Sequence, residues 1–310
     1  MTPQRARLDA DRWHWQHGPI DIVAQADGDA AAVAAAHEAA WQRFGQLLAE
    51  LVGELPLLRQ PIGAHCALQG PVAQRMWHAC ADARTAAGGI FMTPMAAVAG
   101  AVAQELIACY QRPGIARAWL NNGGDIALHL APGQSARVGL VSDLARIDVS
   151  AHGLLSADGQ FELQAAMPVR GVATSGWRGR SFSLGIADSV TVLADTAAQA
   201  DAAATVIANA VDVQDSAIER LPASACKDDA DLGDIPVTVH VGALAPAQVQ
   251  RALAAGLRQA QALQRAGLVW AAVLGCQGQW RVAQPLCSQA SSLQADVPPR
   301  ADAAVGSVFA

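Results

Sequence analysis

The sequence is short of two common side chains: its 310 residues include one lysine, Lys227, and one tyrosine, Tyr110. The other basic residues are arginines, a bias that is typical of alanine- and arginine-rich genomes. Schiff-base chemistry therefore has a single candidate, and Lys227 lies in the acidic run of residues 227–231. A solvated lysine in such a run is a poor nucleophile, so lysine-based covalent catalysis is not expected.

Aromatic residues and positive charge are also scarce. Aromatic side chains make up 5% of the sequence, and 21 basic against 27 acidic residues give a net charge of −6. Nucleic-acid binding needs clustered cations, and the sequence has no basic stripe, so we expect no nucleic-acid partner. With 52% hydrophobic residues the chain can bury a sizeable core, and disorder is expected only near the ends.

Cysteine pairs and long apolar runs are missing as well. None of the six cysteines forms a Cys-x-x-Cys pair, which disfavours zinc ribbons and iron–sulfur clusters. The first ten residues contain no apolar core of a secretory signal, and no apolar run reaches membrane-spanning length. The sequence therefore predicts a cytoplasmic protein with free thiols and no membrane partner.

Several motifs of nucleotide-binding and metal-binding proteins do not occur. There is no glycine-rich P-loop and no Gly-x-Gly-x-x-Gly after a strand, which disfavours a Rossmann cofactor site. The eight histidines form no His-x-x-x-His or His-Glu-x-x-His pattern. His65 beside Cys66 is the most suggestive pair, but no orienting carboxylate is near in sequence, so a Cys–His nucleophile is not favoured.

Hydrophobic periodicity predicts five main helices separated by strands. The predicted helices cover residues 29–51, 71–84, 95–111, 196–210 and 245–266. Alternating runs and turn signals predict strands within residues 115–172 and 189–194, among others. No linker splits the chain, so we expect one domain over residues 1–283 and a loose tail at 284–310. The expected fold class is α+β, an antiparallel sheet with helices packed on one face.

Asp201 and Thr205 lie four residues apart on a predicted helix and therefore project from the same face. A carboxylate and a hydroxyl in this arrangement can share a hard cation such as Mg²⁺. The alternative is a solvent-facing carboxylate and a threonine that bonds back to its own helix. Alanines surround Asp201 and leave room for a ligand. Asp188 opens the preceding strand and is a further candidate for the same pocket, although its sequence position does not decide this.

Two loop motifs can supply the rest of a binding site. In the turn Asn122-Gly123-Gly124-Asp125, the glycines leave backbone N–H groups free to contact a ring or a phosphate. The alternative for this turn is a tight hairpin that needs positive φ. The segment Thr174-Ser175-Gly176 ends a strand with two hydroxyls, which suits either a ligand-binding edge or an ordinary turn.

A third motif precedes the predicted small-residue helix of residues 95–111. Thr93, Pro94 and Met95 lie where backbone N–H groups at a helix N-terminus can bind an anion. The alternative, favoured by spacing alone, is that Thr93 caps the helix and Pro94 occupies its first turn.

Taken together, these motifs resemble those of the ApbE-like superfamily, and in particular its branch of uncharacterised bacterial and archaeal proteins. The resemblance extends over about residues 12–275, and its segments are Met92–Gly100, Asn121–Ile126, Gly171–Gly176, Ala187–Ala194 and Ala200–Thr205. The better-known relatives are flavin transferases, which use Mg²⁺ to cleave FAD and attach FMN to a threonine of a target protein. The resemblance implies a T-fold-related fold with FAD or FMN and Mg²⁺ as cofactors.

By this resemblance, Asp201 and Thr205 are the catalytic and metal-binding residues. The candidate cofactor-binding residues are Thr93, Met95, Asn122, Gly123, Gly124, Asp125, Thr174, Ser175, Gly176 and Asp188. The implied partners are a flavin or related nucleotide and an acceptor protein, and the predicted sheet edges and alanine-rich helices favour a homo-oligomer.

Two segments depart from the transferase pattern. Thr93-Pro94-Met95-Ala96 occupies the place of a Lys-Gly-Tyr-Ala-type segment, and the stretch from Arg180 to Asp188 lacks a His-Ile-Ile-Asp-Pro-type segment. Three functions therefore stay open. They are Mg²⁺-dependent binding of a flavin or related nucleotide with flavin transferase-type activity, a non-catalytic accessory or interaction protein, and an enzyme for an unrelated small molecule in the same cleft.

Overall fold

The fold is that of a computed structural model, which describes residues 2–9, 11–140, 159–228 and 230–286. The helices are α1 (Ala30–Gly53), α2 (Leu55–Leu58), α3 (Pro71–Ala86), α4 (Val98–Ile107), α5 (Ala197–Ala210), α6 (Ala223–Cys226) and α7 (Pro246–Arg265). Two 3₁₀ turns, Pro94–Ala97 and Ala108–Tyr110, flank α4.

Thirteen strands are present in the described residues. They are β1 (Gln4–Arg7), β2 (Arg12–His17), β3 (Ile20–Gly28), β4 (Ile115–Asn122), β5 (Asp125–Leu130), β6 (Ser135–Leu140), β7 (Gly159–Gln164), β8 (Gly171–Ser175), β9 (Ser189–Ala194), β10 (Ile218–Pro222), β11 (Pro236–Val241), β12 (Ala271–Cys276) and β13 (Gln279–Ala283). Nine of them form one antiparallel sheet in the order β1-β2-β3-β4-β5-β8-β9-β12-β13. The pairs β6–β7 and β10–β11 form two further antiparallel ribbons.

The main core lies between this sheet and the helices on one of its faces. Helix α5 packs against β8 and β9 on one side and against α3, α4 and α7 on the others. Most of its residues are alanine, and this small cross-section is what allows a helix to fit among so many neighbours. Asp29 begins α1 as predicted, because its carboxylate accepts hydrogen bonds from the N–H groups of Ala31 and Ala32.

A second, smaller core lies on the opposite face of the sheet. There the β6–β7 hairpin covers Leu128, Val172 and Leu193 with apolar side chains that include Val138 and Leu163. Alternation along β5 and β8 therefore places neighbouring residues in different cores, with Ala127 and Ala173 facing the helices. Elements on both faces of the sheet therefore border the candidate site.

The predicted α+β class is confirmed, with an antiparallel sheet and the main helices packed on one of its faces. The single helix predicted for residues 95–111 is wrong in detail, since a 3₁₀ turn ends at Ala97, where φ is −125°, before α4 begins. The short elements β1, α2, α6 and β10 were not predicted, because four or five residues carry too little periodicity. Most of the predicted tail, from residue 287 onward, lies outside the described residues.

Within the described parts of the chain, none of the helices combines the length and the apolar character needed to span a bilayer.

Candidate functional site

A cavity of about 770 Å³ lies where the β4–β5 turn, the end of β8 and the helices α4 and α5 meet. Every residue that the sequence singled out for catalysis or cofactor binding lines it: Thr93, Met95, Asn122, Gly123, Gly124, Asp125, Thr174, Ser175, Gly176, Asp188, Asp201 and Thr205. The first and last of these are more than 100 positions apart in the chain. The fold therefore brings four separate motifs into one binding-sized cleft.

The glycine turn between β4 and β5 forms one end of the cavity. Gly123 and Gly124 have φ values of +65° and +116°, which glycine adopts without strain, so the sequence Asn-Gly-Gly-Asp makes a two-residue hairpin. The Asn121 side-chain oxygen accepts a 2.7 Å hydrogen bond from the Gly124 N–H, and Asn122 Nδ2 donates to the Ala99 carbonyl at 3.1 Å. The turn is therefore a hairpin that is also hydrogen-bonded to the start of α4.

Asp201 lies opposite this turn, at a close crossing of α4 and α5. A Cβ atom on Gly100 would lie 2.2 Å from the Ala197 carbonyl oxygen, so only glycine allows the two helices to approach this closely. The approach lets the Gly100 N–H donate a 2.8 Å hydrogen bond to Asp201 Oδ2. The alternative of a solvent-facing carboxylate is therefore wrong for Asp201.

Asp125 and Asp201 influence each other's ionisation. Asp125 is 9% exposed, and loss of solvation raises its pKa to about 7, although its oxygen accepts a 3.1 Å hydrogen bond from the Thr174 N–H. Burial raises the pKa of Asp201 well above its ordinary value, and the neighbouring Asp125 charge raises it further. Two carboxyl groups so placed hold a proton, or a cation, between them more favourably than they hold two negative charges.

Thr205 and Asn209 extend the Asp201 face of α5 along the cavity. The Thr205 hydroxyl forms no hydrogen bond with any described residue, so the alternative of a bond back to its own helix does not hold. Asn209 has a structural role, because its Oδ1 accepts from the Leu184 N–H at 2.9 Å and from the Ser183 hydroxyl at 3.2 Å.

The end of β8 supplies the neighbouring wall. Thr174 Oγ1 is 2.9 Å from Thr191 Oγ1, while Ser175 lines the cavity next to it. A Cβ atom on Gly176 would lie 2.5 Å from the Asp188 carbonyl oxygen, so the strand can turn away beside Asp188 only with glycine there. The Thr-Ser-Gly sequence is therefore both a turn and a part of the cavity wall.

Asp188 lines the cavity, but its carboxylate is already engaged. It accepts hydrogen bonds from Trp177 Nε1 at 3.3 Å, Arg178 Nε at 3.1 Å and the Gln277 N–H at 2.5 Å. Asp188 therefore fixes the loop that follows β8 and the turn between β12 and β13. Its oxygens are less free to receive a ligand than those of Asp125 or Asp201.

Thr93 does not cap the following helix, contrary to the alternative that spacing favoured. Its side chain makes no capping bond, and its hydroxyl instead donates a 2.7 Å hydrogen bond to Asp231 Oδ2. Thr93 is 3% exposed, so this buried bond holds Asp231 against the residue that precedes the 3₁₀ turn Pro94–Ala97. Met95, two residues further along the chain, lines the same cavity.

Six cations that the sequence motifs did not point to also line the cavity. They are Arg59, Arg117, Arg137, Arg178, Arg180 and Lys227. Arg117 pairs with Asp27 at 2.5 Å and Arg178 with Asp188 at 3.1 Å. The guanidinium carbon of Arg180 lies 3.7 Å from the position of a Cβ on Gly123. No local sequence pattern marks these residues, since they come from distant segments, yet they make the cavity of an acidic protein rich in positive charge.

Other candidate centres do not form. His65 and Cys66 are absent from the cavity lining. Among residues 2–9, 11–140, 159–228 and 230–286, no group of three or more His, Cys, Asp or Glu side chains is arranged around a metal position. A cation in the cavity would therefore need backbone, hydroxyl, water or ligand oxygens besides the two aspartates.

The fold and cavity define an α+β protein with a ligand cleft closed by a glycine turn, a strand end and an aspartate-bearing alanine helix. A family model described as "AbpE bacteria" matches residues 5–282. The chain belongs to that family, within the ApbE-like group that its motifs resemble.

The chain is similar to curated archaeal proteins called UPF0280 protein. It is 34% identical to one from Methanosphaerula palustris over 168 residues, which are 54% of this chain and 64% of the relative. It is 40% identical to one from Methanothermobacter thermautotrophicus over 129 residues, 41% of this chain and 46% of the relative. The aligned part of the chain thus spans less than two thirds of the length of these relatives.

Solved structures with a similar course of the chain include the flavinyl transferase ApbE of Pseudomonas stutzeri in its apo form. The match has a TM-score of 0.48 and 10% identity, and covers 91% of this chain and 95% of the other. An ApbE protein from Thermotoga maritima gives a TM-score of 0.48 and 12% identity, with coverage of 91% and 97%.

Proposed function

We propose that this protein binds a flavin nucleotide together with Mg²⁺ and catalyses a flavin transferase-type reaction, with FAD as the donor. The observation that carries the proposal is the convergence of Asp201, Thr205, the glycine turn and the Thr-Ser-Gly strand end in one cavity. A nucleotide supplies the negative charge that Arg180, which has no partner among the described residues, would bind. Its rings can pack on the apolar part of the lining, which includes Met95 and Phe91.

The residues present fit a magnesium ion. The Asp201 carboxylate interacts with the backbone N–H groups of Gly100 and Ala99 and lines the cavity, and the neighbouring Thr205 hydroxyl has no partner among the described residues. Asp125, which raises the pKa of Asp201, offers a third oxygen donor nearby. A bound Mg²⁺ would act as a Lewis acid that stabilises charge on a pyrophosphate.

The remaining roles belong to the protein's own side chains and backbone. The N–H groups and missing Cβ atoms of Gly123 and Gly124 allow close approach of a phosphate, and Arg180 lies above the turn to neutralise it. Ser175 offers a hydroxyl at the neighbouring wall, at the end of β8. The product would carry FMN on an acceptor hydroxyl, with AMP as the leaving group, and the acceptor is a further part of this proposal.

Calorimetric titration with FAD and FMN, with and without Mg²⁺, tests the proposal. We expect FAD to bind tightly only with Mg²⁺, and we expect Asp201→Asn to lower the affinity by about tenfold or more, because a ligand to the cation is lost. Thr205→Val should cause a smaller loss in the same direction. The exposed Glu219, which lies outside the cavity, provides the matched control Glu219→Gln.

The result that contradicts the proposal is clear. If neither flavin binds with Mg²⁺, or if Asp201→Asn binds FAD as well as the wild type, the site does not have this role.

We also propose a cytoplasmic location, consistent with five free thiols in the described residues, and a homo-oligomer formed through the exposed edge strand β1.

A further inference from the structure

One end of the cavity carries two cations that no part of the proposed flavin chemistry uses. Arg59 and Lys227 both line the cavity, and neither side chain forms a hydrogen bond or ion pair with any described residue. Lysine and arginine at the margin of a cleft usually have carboxylate partners or extend into solvent. Two that face one cavity without partners indicate a place for an anionic group.

Both cations are attached to the same segment, residues 90–93. Three residues after Arg59, the Ile62 N–H donates a 2.9 Å hydrogen bond to the Met92 carbonyl. Four residues after Lys227, Asp231 accepts the 2.7 Å hydrogen bond from Thr93. Arg59 and Lys227 therefore come from two segments that are both hydrogen-bonded to residues 92 and 93, and both side chains line the cavity.

The Thr93 side of the cavity belongs to a different element from the aspartates. Thr93 precedes the 3₁₀ turn Pro94–Ala97, and Gly100, whose N–H binds Asp201, lies in α4 beyond the break at Ala97. We call these two parts of the cavity lining the Thr93 end and the Asp201 end.

The two ends differ in charge. Asp125 and Asp201 lie at the Asp201 end, together with Arg180, which forms no hydrogen bond or ion pair with any described residue. At the Thr93 end, Arg59 and Lys227 outnumber Asp231, which is already bonded to Thr93. A cation is attracted to the first end and an anion to the second, because each end carries an excess of the opposite charge. Phe91, 41% exposed, adds an apolar surface beside the anionic position.

We propose that Arg59 and Lys227 form a second, metal-independent subsite that binds a phosphate or carboxylate group. The guanidinium of Arg59 suits bidentate binding of such a group, and Lys227 adds a flexible point charge. The group belongs either to the far end of the bound nucleotide or to the acceptor. The subsite goes beyond the proposed function, because it needs neither flavin nor Mg²⁺.

Calorimetric titration with inorganic phosphate in the presence of EDTA tests the subsite on the full chain. We expect Arg59→Gln to weaken phosphate binding by about tenfold and Lys227→Gln by about fivefold, since each removes a charge-assisted hydrogen bond. Arg180→Gln removes a cation at the Asp201 end, where Asp125 and Asp201 disfavour an anion in the absence of Mg²⁺, and should change the affinity less than about twofold. Arg251→Gln, on the exposed face of α7 and outside the cavity, should have no effect.

Three results would overturn the subsite. They are an absence of phosphate binding by the wild type, unchanged binding in Arg59→Gln and Lys227→Gln, and an equal loss in Arg180→Gln, which would indicate diffuse attraction. Asp201→Asn separates this test from that of the proposed function, since it should weaken Mg²⁺-dependent FAD binding by about tenfold or more and keep phosphate binding.

The two sources of the anionic group are distinguished on protein saturated with FAD and Mg²⁺. If FAD competes with phosphate, the subsite binds a phosphate of the nucleotide itself. If phosphate binds to the FAD-loaded protein with unchanged affinity, the subsite serves the acceptor. Both results keep the subsite and assign its ligand.

Discussion

The Gly100 N–H donates a 2.8 Å hydrogen bond to Asp201 Oδ2, across the contact of α4 with α5. The two residues are 101 positions apart in the chain, and the bond fixes the carboxylate that the candidate site depends on. It exists only because Gly100 has no Cβ, so the packing of two helices and the position of one aspartate have the same cause.

Replacing Gly100 with alanine should destabilise the protein. The added Cβ would lie 2.2 Å from the Ala197 carbonyl oxygen and 2.8 Å from Asp201 Cβ, so the helices must move apart. We expect a loss of about 2–4 kcal/mol in the free energy of unfolding, because overpacking outweighs the better helix propensity of alanine. Urea denaturation measures the loss.

Gly53 is the matched control for this change. It is the last residue of α1, and a Cβ there meets no atom within 4 Å. Gly53→Ala should therefore leave the free energy of unfolding unchanged or raise it by up to about 1 kcal/mol. If Gly100→Ala behaves like Gly53→Ala, the close helix crossing does not constrain the site.

Asp125 should make stability fall with rising pH. Its pKa is about 7 in the folded protein and ordinarily 3.8, so the folded state holds the proton more tightly. This contribution is fully present below about pH 4 and is lost as the pH rises to 7. We expect Asp125→Asn to raise the free energy of unfolding by about 1–3 kcal/mol at pH 8 and not below pH 4. Chemical denaturation across this range measures both values.

The Asn side chain in this variant can still accept the bond from the Thr174 N–H, so the comparison isolates the charge. Saturating Mg²⁺ should stabilise the wild type at pH 8 more than it stabilises Asp125→Asn, because the cation offsets the repulsion between the carboxylates of Asp125 and Asp201. Equal stability of the wild type and Asp125→Asn at pH 8 would show that ionisation of Asp125 does not destabilise the folded protein.

His37 should produce a pH dependence of opposite sign. It packs against Trp13, Trp15 and Tyr110, and its Nδ1 lies 2.7 Å from the Tyr110 hydroxyl. Burial lowers its pKa from 6.5 to about 4, with a smaller effect of Arg7 in the same direction. The unfolded state therefore binds the proton more readily, and stability is lost as the pH falls from 6.5 towards 4.

The two opposing trends are separable with variants. In an Asp125→Asn background, we expect the free energy of unfolding to fall by about 1–3 kcal/mol between pH 6.5 and 4, and His37→Gln should remove most of that fall. The exposed His240 supplies the control His240→Gln, which should leave the fall unchanged. If the free energy of unfolding still falls between pH 6.5 and 4 in His37→Gln, other groups cause the fall.

Much of the local structure follows from short stretches of sequence. The start of α1 at Asp29, the hairpin at Gly123 and Gly124 and the helix that carries Asp201 and Thr205 all result from interactions within a few residues, such as capping, positive φ and helical spacing. The α+β class follows too, since alternation and helical periodicity separate the strands from the helices along the chain.

Other features were decided by the tertiary structure alone. The hydroxyl of Thr93 binds Asp231 instead of capping its own helix, because the segment around Lys227 folds back over the cavity. That fold also brings Lys227 and Arg59 to the same cleft, although the sequence around Lys227 indicates only a solvated loop.

The sequence by itself thus determined which residues can form turns, caps and helix faces, because those depend on neighbours in the chain. Only the tertiary structure decided that Asp125 and Asp201 share one cavity and that Arg59 and Lys227 line it as well. Such long-range proximity arises from packing of the whole sheet against the helices, where burial changes the ionisation of side chains that are unremarkable in sequence.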